Sequence, residues 1–243
     1  MKYGSLFSLI LLLFGAGQFG PARADNPLQA AMELEGALLL TPDIENSKRV
    51  YRTCAVCHQP EAWGTENGHY PQIAGQIRTV IIKQLADIRA RNRDNPTMLP
   101  FTRLDMLTLQ EIADVSAYIS EMPMTRHNGI GPGSDLVHGR KIYEEYCAEC
   151  HGPRAEGIVD DHIPLLQGQH YQYLYRQFLW IRDGRRRNAD KKMAKQIQSF
   201  NIRDISSVMD YISRLKPPAE KLAPADWRNP DFPNYRRDGK RRP

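Results

Sequence analysis

All four cysteines of this chain stand in two copies of one pentapeptide, "CAVCH" from Cys54 to His58 and "CAECH" from Cys147 to His151. A disulfide inside Cys-x-x-Cys closes so small a ring that it restrains little of the unfolded chain. A tetrahedral zinc site needs four ligands, which two cysteines and an adjacent histidine supply only by distortion. A thioredoxin-like redox motif requires a βαβ setting, and strand signals are sparse throughout the sequence. None of these readings explains the histidine that follows each second cysteine. Covalent haem attachment does: cysteines one helical turn apart form thioethers with the porphyrin vinyl groups, and the next residue swings under the iron as proximal ligand. The motifs therefore predict two covalently attached haem c groups, one on Cys54, Cys57 and His58 and one on Cys147, Cys150 and His151.

The two motifs lie 93 residues apart, and other residues keep that offset. Pro71 pairs with Pro164, Gly75-Gln76 with Gly168-Gln169, Gln84 with Gln177, Ile88-Arg89 with Ile181-Arg182, and Tyr118-Ile119 with Tyr211-Ile212. Self-similarity at a fixed period marks a repeated structural unit. Apolar residues three and four apart in "VIIKQLADIRA", "LTLQEIADVSAYI", "YQYLYRQFLWIRD" and "IRDISSVMDYISRL" predict helices. The expected fold is all-α, with two homologous domains at 26–123 and 134–218, a Pro- and Gly-rich linker at 124–133, and an extended basic tail at 219–243. Trp227, Phe232 and Tyr235 are the candidate anchors of that tail on a domain surface.

Residues 1–24 read as a secretory signal peptide, with a nine-residue apolar run from Leu6 to Phe14 and a small-x-small site at Ala22-Arg23-Ala24. The run is too short for a membrane-spanning anchor, so the mature chain is expected in the periplasm with no integral membrane segment. Removing Lys2 and Arg23 from the formal charge of +5 leaves +3, and the last nine residues alone carry +4. The body is thus close to neutral, which argues against a nucleic-acid-binding face.

A sixth iron ligand has to come from later in each repeat, and methionine or histidine suits an electron carrier. Met98 lies 40 residues after His58 and Met193 lies 42 after His151, each ahead of the last helix of its repeat. His69 and His162, each eleven residues after its haem histidine, leave a bis-histidine alternative open. Met106, Met122, Met124 and Met209 read as core filler, and His127, His138 and His170 as surface residues. The carbonyls of Pro71 and Pro164 are candidates to orient the proximal imidazoles. Gly64 and Gly157, six residues after each histidine, are expected to let the backbone turn closely against the haem edge. Arg89, Arg182, Tyr118 and Tyr211 are candidate propionate or interdomain donors. The basic runs "RARNR" and "GRRRNADKK" are candidates to ring a haem edge and steer an acidic partner.

The segments "CAVCH", "YPQIAGQ", "QLADIR", "MLPF" and "ADVSAYI", with their counterparts "CAECH", "IPLLQGQ", "QFLWIR", "MAKQ" and "SSVMDYI", resemble the dihaem cytochrome c4 family over nearly all of residues 26–218. The resemblance implies two tandem class I cytochrome c domains with close-lying haems. It implies Met98 and Met193 as axial ligands, and Pro71 and Pro164 as holders of the proximal histidines. It further implies periplasmic single-electron transfer between redox partner proteins, including acidic or membrane-bound respiratory complexes, with no catalytic residue. The tail "PADWRNPDFPNYRRDGKRRP" departs from the family pattern. Two alternatives remain: an electron-transfer subunit of a larger dehydrogenase or reductase, with the tail as docking element, and a dihaem peroxidase or thiosulfate dehydrogenase with one open haem.

Overall fold

The computed structural model describes residues 25–235; the leader and the last eight residues of the basic tail lie outside the described residues. Among the described residues ten α-helices form two halves. The first holds α1 (Pro27–Leu39), α2 (Ile44–His58), α3 (Arg78–Arg89), α4 (Leu99–Thr102) and α5 (Leu109–Glu121). The second holds α6 (Leu136–Ile142), α7 (Ala148–His151), α8 (Tyr171–Arg182), α9 (Lys191–Gln196) and α10 (Ile202–Arg214). Among the described residues the only β-type pairings are isolated bridges, Met124 with Leu222 and Ile158 with Ile163. The expected all-α repeat is what the chain adopts.

Capping explains where the last helix of each half begins. Thr108 accepts from the Glu111 N–H while the Glu111 carboxylate accepts from the Thr108 N–H, and Asn201 and Asp204 repeat this reciprocal cap in α10. Both helices stop at residues with extended ψ, Met122 before Pro123 and Leu215 before Lys216-Pro217. The second half packs Ile142, Tyr143, Phe178, Ile205, Val208 and Ile212 into one core. The first half gathers Tyr51, Ala55, Val115 and Ile119 in one cluster and Ile82, Leu107, Ile112 and Ala113 in another. Each fully buried aliphatic side chain contributes about 1.5–3 kcal/mol. The helical-period reading omitted α1, which packs on α3 and α5 of its own half.

The tail does not leave the molecule. Met124 and Ala223 exchange backbone bonds with the Leu222 region, the Met124 N–H donating to Lys221 at 2.8 Å and the Ala223 N–H to Met124 at 2.9 Å. Beyond that point Trp227 stacks on Trp63 at 5.7 Å, and Phe232 sets its edge to Tyr51 at 5.9 Å. Asn229, 3% exposed, donates to the Pro60 carbonyl at 2.6 Å. Residues 219–235 are therefore a strap from the second half onto the first, and their anchors are spent within the chain. Trp227 and Phe232, two of the expected anchors, seat the tail on the first half.

Candidate haem sites and the seam between the halves

α2 delivers the first motif: Cys54, Cys57 and His58 occupy its C-terminal end. Gln59 then takes a left-handed φ of 68°, and Gly152 holds 82° at the matched position. Buried tyrosines brace both exits, the Tyr51 hydroxyl donating to the Gln59 carbonyl at 2.7 Å and the Tyr143 hydroxyl to the Gly152 carbonyl at 2.5 Å. Tyr51 stands three residues before Cys54, whereas Tyr143 stands four before Cys147. A π turn at Tyr143–Cys147 absorbs the extra residue and keeps the second tyrosine in register.

The His58 Nδ1–H donates to the Pro71 carbonyl at 3.1 Å, and the His151 Nδ1–H to the Pro164 carbonyl at 3.2 Å. A carbonyl only accepts, so this contact assigns the proton to Nδ1 and leaves Nε2 as the lone-pair nitrogen. Both rings are buried, and burial holds them below the usual histidine range, in the neutral form that binds iron. The carbonyl-bearing loops pass close to Gly64 (φ 67°) and Gly157 (φ 74°). A Cβ on Gly64 would overlap the Tyr70 and Pro71 carbonyls, and one on Gly157 the Ile163 carbonyl. These glycines serve the proline loops, a closer purpose than the haem edge expected for them.

The donor set fits haem. No disulfide joins any of the four cysteines, which leaves all four sulfurs for thioether bonds. Burial pushes Cys54 and Cys147 up to about 12, opposite to the acidified thiol of a redox motif. Among the described residues no group of three or more His, Cys, Asp or Glu is placed to hold a bare metal ion. A porphyrin brings its own ring nitrogens and asks the protein for two thiols and an axial imidazole.

Met98 precedes α4 and is partly buried; Met193 lies in α9, partly buried against the second core. His69 is exposed and sits edge-on to Tyr70 at 4.6 Å, while His162 is partly buried at φ 55° with Nδ1 unpartnered. Met122, Met124 and Met209 are core, but Met106 is 55% exposed, in the turn between α4 and α5. His127 is exposed and His138 bonds Asp204 at 2.8 Å. His170 is not a surface residue: it is 1% exposed, its Nδ1 accepting from the Gly129 N–H at 3.0 Å and its Nε2–H donating to the Trp63 carbonyl at 2.7 Å.

The four proposed interdomain donors also turn elsewhere. Arg89 ties the Thr102 and Leu107 carbonyls and Glu33, all in its own half. Arg182 bonds Asp183 at 2.9 Å, Tyr211 packs on Tyr143 at 5.6 Å, and Tyr118 donates to Asp231 of the strap at 2.8 Å. The seam is instead made by residues that mirror each other. Gln76 clamps the backbone of Leu165, and Gln169, its counterpart, clamps the backbone of Gln72, the counterpart of Leu165. Gln84, Arg93, Gln177 and Arg186 form a second mirrored group beside it. The offset of 93 between Arg93 and Arg186 was present in the sequence as a signal, hidden inside two basic runs that read as candidates to steer an acidic partner.

A protein-family model described as cytochrome c matches the chain twice, at residues 44–123 and 136–216. A cytochrome c4 from Pseudomonas aeruginosa is 32% identical over 171 residues, covering 67% of this chain and 83% of that protein. A thiosulfate dehydrogenase electron acceptor from Thiomonas intermedia is 26% identical over 143 residues, covering 55% and 64%. The crystal structure of reduced cytochrome c4 from Pseudomonas stutzeri superposes with a TM-score of 0.64 at 26% identity, covering 72% of this chain and all of that one. Two Cys-x-x-Cys-His turns with braced histidines, in two halves that each match a cytochrome c domain, hold two covalent haem c groups. The chain belongs to the dihaem cytochrome c4 family of electron carriers.

Proposed function

We propose that the chain works in the periplasm, exported by the leader read at residues 1–24, and passes single electrons between redox protein partners. His58 with Met98 and His151 with Met193 are the axial pairs of this reading, and Pro71 and Pro164 fix the two imidazoles. A bound haem supplies an iron that exchanges one electron between the ferrous and ferric states. What the chain itself does is orient Nε2 through the Nδ1 bond, keep both imidazoles neutral, and exclude water with the cores around Tyr51 and Tyr143. The observation that carries the reading is the repetition of the histidine brace in both halves, at 3.1 and 3.2 Å, with Met98 and Met193 each ahead of the capping box of its half. The test is the weak far-red absorption that reports methionine on ferric iron. Wild type is expected to show it at two-haem intensity, and Met98→Ala and Met193→Ala each to lose about half. A wild-type haem without the band that binds cyanide readily overturns the carrier reading.

A second reading is supported by the name of the Thiomonas relative: the electron donor is a thiosulfate-oxidising dehydrogenase. Reduction of the oxidised protein by such an enzyme with thiosulfate supports it. Reduction by thiosulfate alone points to an enzyme activity in this chain, and reduction by neither removes both.

A further inference from the structure

Residues 93 apart on and just after α3 and α8 hold matched places in the two halves, and one matched trio differs in charge. In the first half Lys83 donates to Asp87 at 2.5 Å and the Asn92 side-chain amide donates to the same carboxylate at 3.1 Å, so one cation faces one acid. The counterparts in the second half are Arg176, Trp180 and Arg185. Both guanidiniums lie over the Trp180 indole, Arg176 at 5.6 Å and Arg185 at 5.4 Å from the ring centre. An indole is uncharged, so this trio stays positive where its counterpart is neutral. α8 itself contains no Asp or Glu. Asp183 pairs with Arg182 at 2.9 Å and Asp190 caps α9 through the Met193 N–H at 2.9 Å, which leaves Arg176 and Arg185 without an ion pair among the described residues.

The stack also keeps unused donors. Arg176 gives only its Nη2 to the protein, donating to the Gly68 carbonyl at 2.7 Å and the His69 carbonyl at 3.2 Å. Arg185 is exposed, and neither its guanidinium nor the Trp180 Nε1–H reaches an acceptor among the described residues. Cation–π contact holds guanidiniums over a ring without consuming their N–H groups. Those groups fit a carboxylate in a two-pronged geometry, and Trp and Arg are among the side chains that most often anchor protein interfaces. A bilayer is a poorer match, since interfacial insertion needs an exposed apolar face and Trp180 is partly buried beneath charge.

The position of the stack suits electron exchange. Gly68 and His69 belong to the first half and shortly precede Pro71, whose carbonyl holds His58. A Cβ on Gly68 would meet the backbone of Tyr173, so that loop lies directly against α8. The stack therefore bridges the two halves next to the first histidine brace. We propose that Arg176, Trp180 and Arg185 form a docking site for an acidic redox partner protein, whose surface carboxylates take the guanidinium and indole donors left open there. The inference rests on the reading of the chain as a carrier between protein partners. Opposite charges speed encounter, and salt screens that gain.

The experiment uses the reduced holoprotein, isotopically labelled for nitrogen resonance and titrated with hexaglutamate as the acidic probe. The expected result is a shift of the Trp180 indole N–H resonance, assigned by its loss in Trp180→Phe, with those of Trp63 and Trp227 unmoved. Arg185→Gln is expected to abolish the shift, and Lys221→Gln, an equal charge change at an exposed residue of the strap, to keep it. The functional readout is the rate at which reduced plant-type ferredoxin, an acidic one-electron donor, reduces the ferric protein. Arg185→Gln is expected to lower that rate about tenfold at low ionic strength, with the difference vanishing at high salt. A shift at Trp63 or Trp227 in place of Trp180, or equal effects of Arg185→Gln and Lys221→Gln on the rate, overturns the site. Retention on phosphatidylglycerol vesicles that Arg185→Gln abolishes, with no indole resonance moved by hexaglutamate, overturns it in favour of a lipid surface. If Trp180→Phe fails to fold, Arg185→Gln carries both readouts, because its side chain is exposed and supports no other contact than the indole. Failure of the carrier reading looks different: it shows in wild type, as fewer than two haems or as an open haem that binds cyanide.

Discussion

Gln76 holds Leu165 by both of its backbone groups, its Nε2–H donating to the Leu165 carbonyl at 2.9 Å and its Oε1 accepting the Leu165 N–H at 3.0 Å. Leu165 is buried, so no water replaces the glutamine if it is removed. Leaving buried backbone groups unpaired costs about 1–3 kcal/mol each. Gln76→Ala and Gln169→Ala are expected to loosen the seam, each lowering the denaturation midpoint, with the pair non-additive because the clamps share one interface. Small-angle scattering of the double variant is expected to show a larger radius of gyration. An unchanged midpoint and radius would mean that the strap alone holds the halves together.

The strap is expected to stabilise the first half. Phe232 packs on the Tyr51 cluster and Asn229 satisfies the Pro60 carbonyl. Phe232→Ala is expected to cost about 2 kcal/mol, read as a lower chemical-denaturation midpoint with the haem spectrum intact. Removal of residues 226–243 is expected to cost more than Phe232→Ala, since it also removes the Trp63–Trp227 stack and the Tyr118–Asp231 bond. Loss of binding to a redox partner with unchanged stability would return the tail to a docking role.

Acid is expected to weaken the seam through His170. Burial lowers its pKa below 6.5, against a smaller upward pull from the Trp63 bond and Glu66. The unfolded chain therefore takes up the proton before the native chain does, and stability rises with pH. The His170 contribution is complete above about pH 6.5 and declines as pH falls below it, because a protonated Nδ1 no longer accepts the Gly129 N–H. Denaturation midpoints measured from pH 8 to pH 5 are expected to fall less steeply in His170→Gln than in wild type. Equal slopes would remove His170 as the titrating group.

Two glycines with the same sign of φ are expected to respond differently to alanine. Gly157 has φ 74° and a Cβ there would meet the Ile163 carbonyl, whereas Gly184 has φ 70° with nothing within 4 Å. Gly184→Ala is expected to cost about 1–2 kcal/mol, the left-handed backbone alone. Gly157→Ala also displaces the loop whose Pro164 carbonyl orients His151, so it is expected to lower haem content as well as stability. The readout is the haem-to-protein ratio, which Gly184→Ala leaves unchanged.

The attachment chemistry was legible in the sequence because it is local. Cysteine thiols one turn apart and the following histidine lie on one helix end, and neither residue type nor spacing depends on a distant partner. The repeat was legible too, since two copies of one fold need the same prolines and glycines, as at Pro71 and Pro164 or Gly75 and Gly168. Contacts across the seam were not, because they join residues about a hundred positions apart, and the same arginine reads alike whether solvated or enclosed. Arg89 and Arg93 stand four residues apart in one basic segment, yet Arg89 braces its own half while Arg93 crosses to Gln177. His170 and the strap followed the same rule. The sequence by itself determined two haem-bearing helical repeats; only the tertiary structure decided which polar groups are left in water and which are shut in the seam, because burial is a property of the packed halves.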